Sequence, residues 1–117
     1  MAYKVISPEY LENVTGGDPE ITEELVNIFR SQVPEFIDEM KGLHNNGMWF
    51  ELGLLAHKAK SSVAVMGMDS TATMLKTFEL QAKAGENKDE YINYINQFVS
   101  ETSIALVELT EYLKKLK

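Results

Sequence analysis

The spacing of apolar residues is what most restricts how this chain can fold. From Pro19 to about His44 the residues Ile21, Leu25, Ile28, Phe29, Val33, Phe36, Ile37, Met40 and Leu43 recur at intervals of three and four. That is the period of one buried helix face. The same period runs through Leu52, Leu55, Ala56, Ala59, Val63 and Met66, then Leu75, Phe78 and Ala82. It returns in Tyr91, Ile95, Phe98, Thr102, Ala105, Leu109, Tyr112 and Leu116. The pattern is helical nearly throughout.

The breaks agree with this reading. The chain holds only three prolines and seven glycines, mostly where helices should start or stop. A short helix is expected over about Ser7 to Thr15, with Pro8 in its first turn. Gly16-Gly17 interrupts the chain; Asp18 then suits an N-cap, Pro19 the first helical position, and Glu20, Glu23 and Glu24 the positive end of the helix. Pro34 removes one backbone hydrogen bond and should bend this long helix. The stripe continues in phase beyond it, so one bent helix is expected. His44 to Gly47 ends it. A third helix is expected from about Met48 to Met66, stopped by Gly67. A fourth, capped by Asp69 or Ser70, should reach Ala84 before Gly85, and a last one should run from Asn87 to Leu116. Short connections between four long amphipathic helices predict an all-α, antiparallel up-down four-helix bundle with a short extra N-terminal helix. The 117 residues suit a single domain over 1–117, free-standing and monomeric.

Composition excludes several chemistries. Without cysteine there is no disulfide framework, zinc-thiolate site or thiol nucleophile. The N-terminus lacks the apolar run of a signal peptide, and no segment approaches the ~20 apolar residues of a membrane span. A cytoplasmic location without membrane attachment is therefore expected. With 18 acidic and 11 basic residues the formal net charge is −7, and no basic footprint for nucleic acid is visible. No glycine-rich phosphate loop is present, which argues against nucleotide binding. The two histidines, His44 and His57, fall on different predicted helices with no further ligand pattern, so no metal site is expected. His44, at a helix C-terminus, reads as a dipole-complementing side chain.

The segment AHKAKSSVAVMGMDS, from Ala56 to Ser70, stands out within the helical pattern. Positions three, four and seven residues beyond His57 are Lys60, Ser61 and Ala64, and these share its face. That face is turned about 100° from the Ala56–Ala59 stripe, which puts His57 on the rim of the core. An exposed imidazole can act as a nucleophile or a metal ligand. Lys60 favours the nucleophile, since an ammonium one turn away would sit near an attached phosphoryl group. Ser61 and Ala64 are small enough to let a bulky partner approach. With no nucleotide site in the chain, the phosphoryl group would come from another protein.

These residues resemble the histidine-containing phosphotransfer (HPt) domain family, whose motif runs approximately A-H-x-x-K-G-S-x-x-x-x-G-A. The matching positions are Ala56, His57, Lys60, Ser62 and Gly67, with Ser61 where the family has glycine and Met68 where it has alanine. The family's apolar-Glu pair falls on Phe78 and Glu79, its Gly-Asp on Gly17 and Asp18, and its long-helix phenylalanine on Phe29. The resemblance extends from about Tyr10 to Gly85, with the last helix matching in length and pattern. It implies a phosphorelay intermediate of two-component signalling. His57 would accept a phosphoryl group from the aspartate of a response-regulator receiver domain and return it to another. Lys60 would partner the charge; Ser61 and Ala64 would lie on the docking surface. Glu79 would either orient the imidazole or remain a solvated acid. The resemblance implies no cofactor of the chain's own, with magnesium on the receiver, and a hybrid histidine kinase as a further partner.

Two other classes of function fit parts of the sequence. A helical adaptor that keeps the fold without the chemistry would bind the same partners. A phosphopantetheine carrier would use Ser70, in Gly67-Met68-Asp69-Ser70 at a predicted helix start, although Thr71 stands where carriers usually have leucine. The long helices on either side also suit a carrier poorly.

Overall fold

The computed structural model describes residues 3–116. Its helices are α1 (Pro8–Thr15), α2 (Pro19–Asn45), α3 (Trp49–Val65), α4 (Asp69–Ala84) and α5 (Tyr91–Leu116), with one turn of 3-10 helix at Lys88–Glu90. No strand occurs among the described residues. Short connections reverse the chain between successive long helices, and α2, α3, α4 and α5 pack around one core. Phe29, Met40, Leu52, Leu75, Phe78, Ile95, Phe98 and Leu109 fill it.

Helix α2 starts as its sequence requires. The Asp18 carboxylate accepts from the backbone N–H groups of Glu20 and Ile21, and Pro19 occupies the first turn. The helix continues through Pro34 without interruption. Its buried face, however, is rotated from the expected stripe. Thr22, Val26, Phe29, Val33, Phe36 and Met40 are buried, whereas Ile21 and Ile28 are about half exposed. Thr22 can enter the core because its hydroxyl donates to the Asp18 carbonyl at 2.7 Å, which satisfies the only polar group it carries inward. Val26 can then replace Ile28 on the inward side.

Two helix starts also differ from expectation. Helix α4 begins at Asp69, with Met68 at the cap position and no side-chain cap. Asp69 instead lies inside the first turn, where its charge complements the helix dipole. Met68 is fully buried, so packing holds this start without a capping hydrogen bond. Asn87 adopts a left-handed conformation (φ 54°) and leads into the 3-10 turn, so α5 starts at Tyr91. Near the far end of α5, Leu113 is the buried residue, while Tyr112 and Leu116 pack at the edge of the core.

At 27 and 26 residues, α2 and α5 are longer than α3 and α4, at 17 and 16. The excess is about 15 Å of helix. The N-terminal segment and α1 pack beside it, burying Ile6 and Leu11. Gly67 (φ 70°) lies against Ser7 so closely that a Cβ there would come within 2.6 Å of the serine Cβ. The Ser7 N–H donates to the Met66 carbonyl at 3.3 Å, which joins the start of α1 to the end of α3.

Candidate functional site

Helix α3 is seated by Leu52, Leu55, Ala56, Ala59, Val63 and Met66, all buried as their spacing required. His57 follows Ala56 by one residue, and its side chain is 56% exposed. The expected rim position is therefore the observed one.

What lies beneath the imidazole comes from α4. Phe78 and Leu75 anchor that helix in the core, and this brings Glu79 to the seam between α3 and α4. Glu79 is only 5% exposed. Its Oε1 lies 3.0 Å from His57 Nδ1 and 3.7 Å from Lys60 Nζ. Its Oε2 lies 2.8 Å from Lys83 Nζ, one turn further along α4. Burial by itself would raise the Glu79 carboxyl. The hydrogen bonds from Lys83 and His57, with the charges of both groups, outweigh burial and bring it down from 4.5 to about 2.

An ionised carboxylate can only accept hydrogen bonds. Nδ1 of His57 therefore carries the proton in this contact, and in the neutral ring Nε2 keeps its lone pair. The arrangement leaves the Nε2 lone pair free while the opposite nitrogen is held by a fixed anion.

The other expected residues surround this pair. Lys60 is mostly buried, its side chain 24% exposed, and it is directed toward Glu79. Ser61 is exposed and its hydroxyl donates to the His57 carbonyl across a long 3.5 Å contact. Ala64 is half-buried on the same face. Ser62 donates to Gln32 Oε1 at 3.0 Å, tying α3 to α2. Ser70 is exposed in the first turn of α4, on the same helix as Glu79 but about two and a half turns before it.

Sequence reasoning overlooked several neighbours. Phe50 and Leu54, both about half exposed, precede His57 by seven and three residues and share its side of α3. On the α2 side a shallow groove of about 240 Å³ is lined by Leu25, Ile28, Gln32, Ser61, Ser62 and Val65. Lys83 and Gly53 were also missed. Both had a sequence signal: Lys83 follows Glu79 at i+4, and Gly53 precedes His57 by the same interval. Among the described residues, no group of three or more His, Cys, Asp or Glu side chains is placed to hold a metal ion. No helix of the described residues is long and apolar enough to cross a membrane.

A family model described as the Hpt domain matches residues 24–116. The chain belongs to the Hpt domain family. Membership implies histidine phosphotransfer in two-component signalling, and Hpt domains interact with receiver domains and histidine kinases. Neither the curated proteins nor the solved structures contain a match to the chain. The family match takes in all of α3, α4 and α5. It therefore reaches further toward the C-terminus than the motif resemblance did. It begins after α1 and after Gly17 and Asp18, which the resemblance had included.

Proposed function

We propose that this Hpt domain is a phosphorelay intermediate, with His57 as the residue that carries the phosphoryl group. One observation supports this more than any other. The imidazole has one nitrogen held at 3.0 Å by a nearly buried carboxylate, while more than half of the side chain remains open to solvent.

The chemistry follows from that geometry. The Nε2 lone pair attacks the phosphorus of a receiver's aspartyl phosphate. The Nε2–P bond forms as the P–O bond to aspartate breaks, and the aspartate leaves as a carboxylate. No proton has to move, because Nδ1 keeps its hydrogen throughout. The positive charge that develops on the ring meets Glu79 directly. Transfer to a second receiver reverses these steps. Such transfers depend mainly on positioning and charge stabilisation. Lys60 supplies a cation beside the site, and the receiver supplies magnesium.

Phe50, Leu54 and the groove by Ile28 offer apolar surface on both sides of His57, suited to a docked receiver domain. Ser61 and Ala64 leave space between them. Serine in place of the family's glycine at 61 directs its hydroxyl back to the helix backbone, so the face stays low. The domain acts in this scheme as a monomer.

The test is incubation with phosphorylated receiver domains, followed by acid and base treatment of the adduct. Wild type should gain acid-labile, base-stable label, and His57→Gln should lose it entirely while keeping wild-type helical content. Label retained by His57→Gln would overturn the assignment. Binding of receivers without any label would favour the adaptor.

A further inference from the structure

Glu79 has a second contact, on the side away from the histidine. Lys83 Nζ lies 2.8 Å from Oε2, and the lysine side chain is 32% exposed. The approach depends on Gly53. A Cβ at that position would lie 2.7 Å from Lys83 Cγ and 3.0 Å from both the Glu79 carbonyl oxygen and the Lys83 nitrogen. Two of those neighbours are backbone atoms, so any side chain at 53 would push α4 away. Gly53 stands one helical turn before His57 on the same side of α3. The missing side chain thus lets the stem of Lys83 and the backbone of α4 lie against α3 beneath the imidazole.

We propose that Lys83, seated against Gly53, is a positioning residue. It holds Oε2 so that Oε1 stays on His57 Nδ1, and the ring therefore presents Nε2 as its free nitrogen. The proposal rests on His57 being the phosphoryl-accepting residue. The charged groups that face Glu79 are His57 and Lys60 from α3 and Lys83 from its own helix. Of the two lysines, Lys83 is closer by 0.9 Å, the difference between 3.7 and 2.8 Å. Lys60 approaches the same oxygen as the histidine and so competes with Nδ1 for it. Lys83 uses the other oxygen and leaves Oε1 to the ring. Without Lys83, the carboxylate can turn toward Lys60 and release the ring. The two lysines therefore have opposite effects on the ring, although both neutralise the same charge.

The ring nitrogens report this directly, without any phosphoryl transfer. In alkaline solution, where a neutral imidazole carries one proton, ¹⁵N NMR distinguishes a protonated ring nitrogen from an unprotonated one. The wild-type His57 ring should show a protonated Nδ1 and an unprotonated Nε2, with His44 as an internal comparison. Lys83→Met should bring the two shifts together as the tautomers mix. It should also slow phosphoryl uptake from a receiver about tenfold, the low end of the cost of losing an outer partner that orients a ring. Lys83→Arg should restore both readings.

Wild-type ring shifts in Lys83→Met would overturn the proposal, whether or not uptake slowed, because any loss of rate would then not pass through the ring. Failure of Lys83→Arg to restore the shifts would overturn it as well. A wild-type chain that shows the expected shift pattern and its loss in Lys83→Met, but takes no label from any receiver, would support Lys83's hold on the ring and overturn the proposed function.

Discussion

Glu79 has two carboxylate oxygens and three cationic or basic neighbours. His57 and Lys60 approach Oε1 and Lys83 approaches Oε2. A carboxylate so nearly buried is stable only while such partners remain, and removing one leaves a charge exposed to a poorly solvating interior. The effect on stability has a definite sign. The folded-state carboxyl is lowered from 4.5 to about 2, so its contribution is complete above the unfolded value. It is lost as pH falls from 4.5 toward 2. A shift of that size corresponds to roughly 3 kcal/mol. Urea denaturation of wild type and Glu79→Gln should therefore show wild type more stable at neutral pH by an amount that shrinks by about that much on acidification to 2. A stability difference independent of pH would contradict this. His57 and Lys60 were legible as a pair from their spacing alone. Glu79 was reached only through the family resemblance, which left it either orienting the imidazole or solvated, because the contact that decides between them joins residues 22 apart on two helices.

At the level of the helix, Pro34 is the clearest local conflict. It lies in the interior of α2, exposed, with no N–H to give to the turn before it. Val33 just before it and Phe36 two residues after it are nevertheless buried, so tertiary packing of the apolar face overrides the local preference. Pro34→Ala should restore the missing backbone bond and raise stability by about 1–3 kcal/mol. An increase in the urea midpoint with an unchanged slope would show it; a decrease would mean that a bend at Pro34 is needed to seat α2. Helix boundaries were largely readable, since Asp18-Pro19, Gly67 and Gly85 act within a few residues of chain. The rotation of α2's buried face was not. Isoleucine at 21 and 28 looks inward by composition, but Thr22 and Val26 occupy that side. Periodicity gives the helix a face without saying which of two adjoining residues its neighbours will cover.

Across the whole molecule, the unequal helix lengths leave space that the N-terminal segment fills. The Glu108 carboxylate on α5 accepts from the backbone N–H groups of Lys4, Val5 and Ile6, at 2.6, 3.0 and 3.2 Å. Tyr3 stacks edge-on against Tyr112 beside it. One side chain thus satisfies three successive donors that have no strand or helix partner. Glu108→Ala should speed hydrogen exchange at those three amides at least tenfold and leave the buried amides of α2 and α5 unchanged. Unaltered exchange at Lys4, Val5 and Ile6 would show that packing alone holds the segment.

The sequence by itself determined the number and approximate limits of the helices and the shared face of His57, Lys60, Ser61 and Ala64. Helical period, capping and chain breaks are local properties, set by residues a few positions apart. Only the tertiary structure decided that Glu79 would lie under the imidazole, that Lys83 would pass beside Gly53 to reach it, and that Glu108 would bind the N-terminal backbone. Each depends on the register and separation of helices distant in the chain. Those are fixed by close packing of side chains, which no single helix's pattern contains.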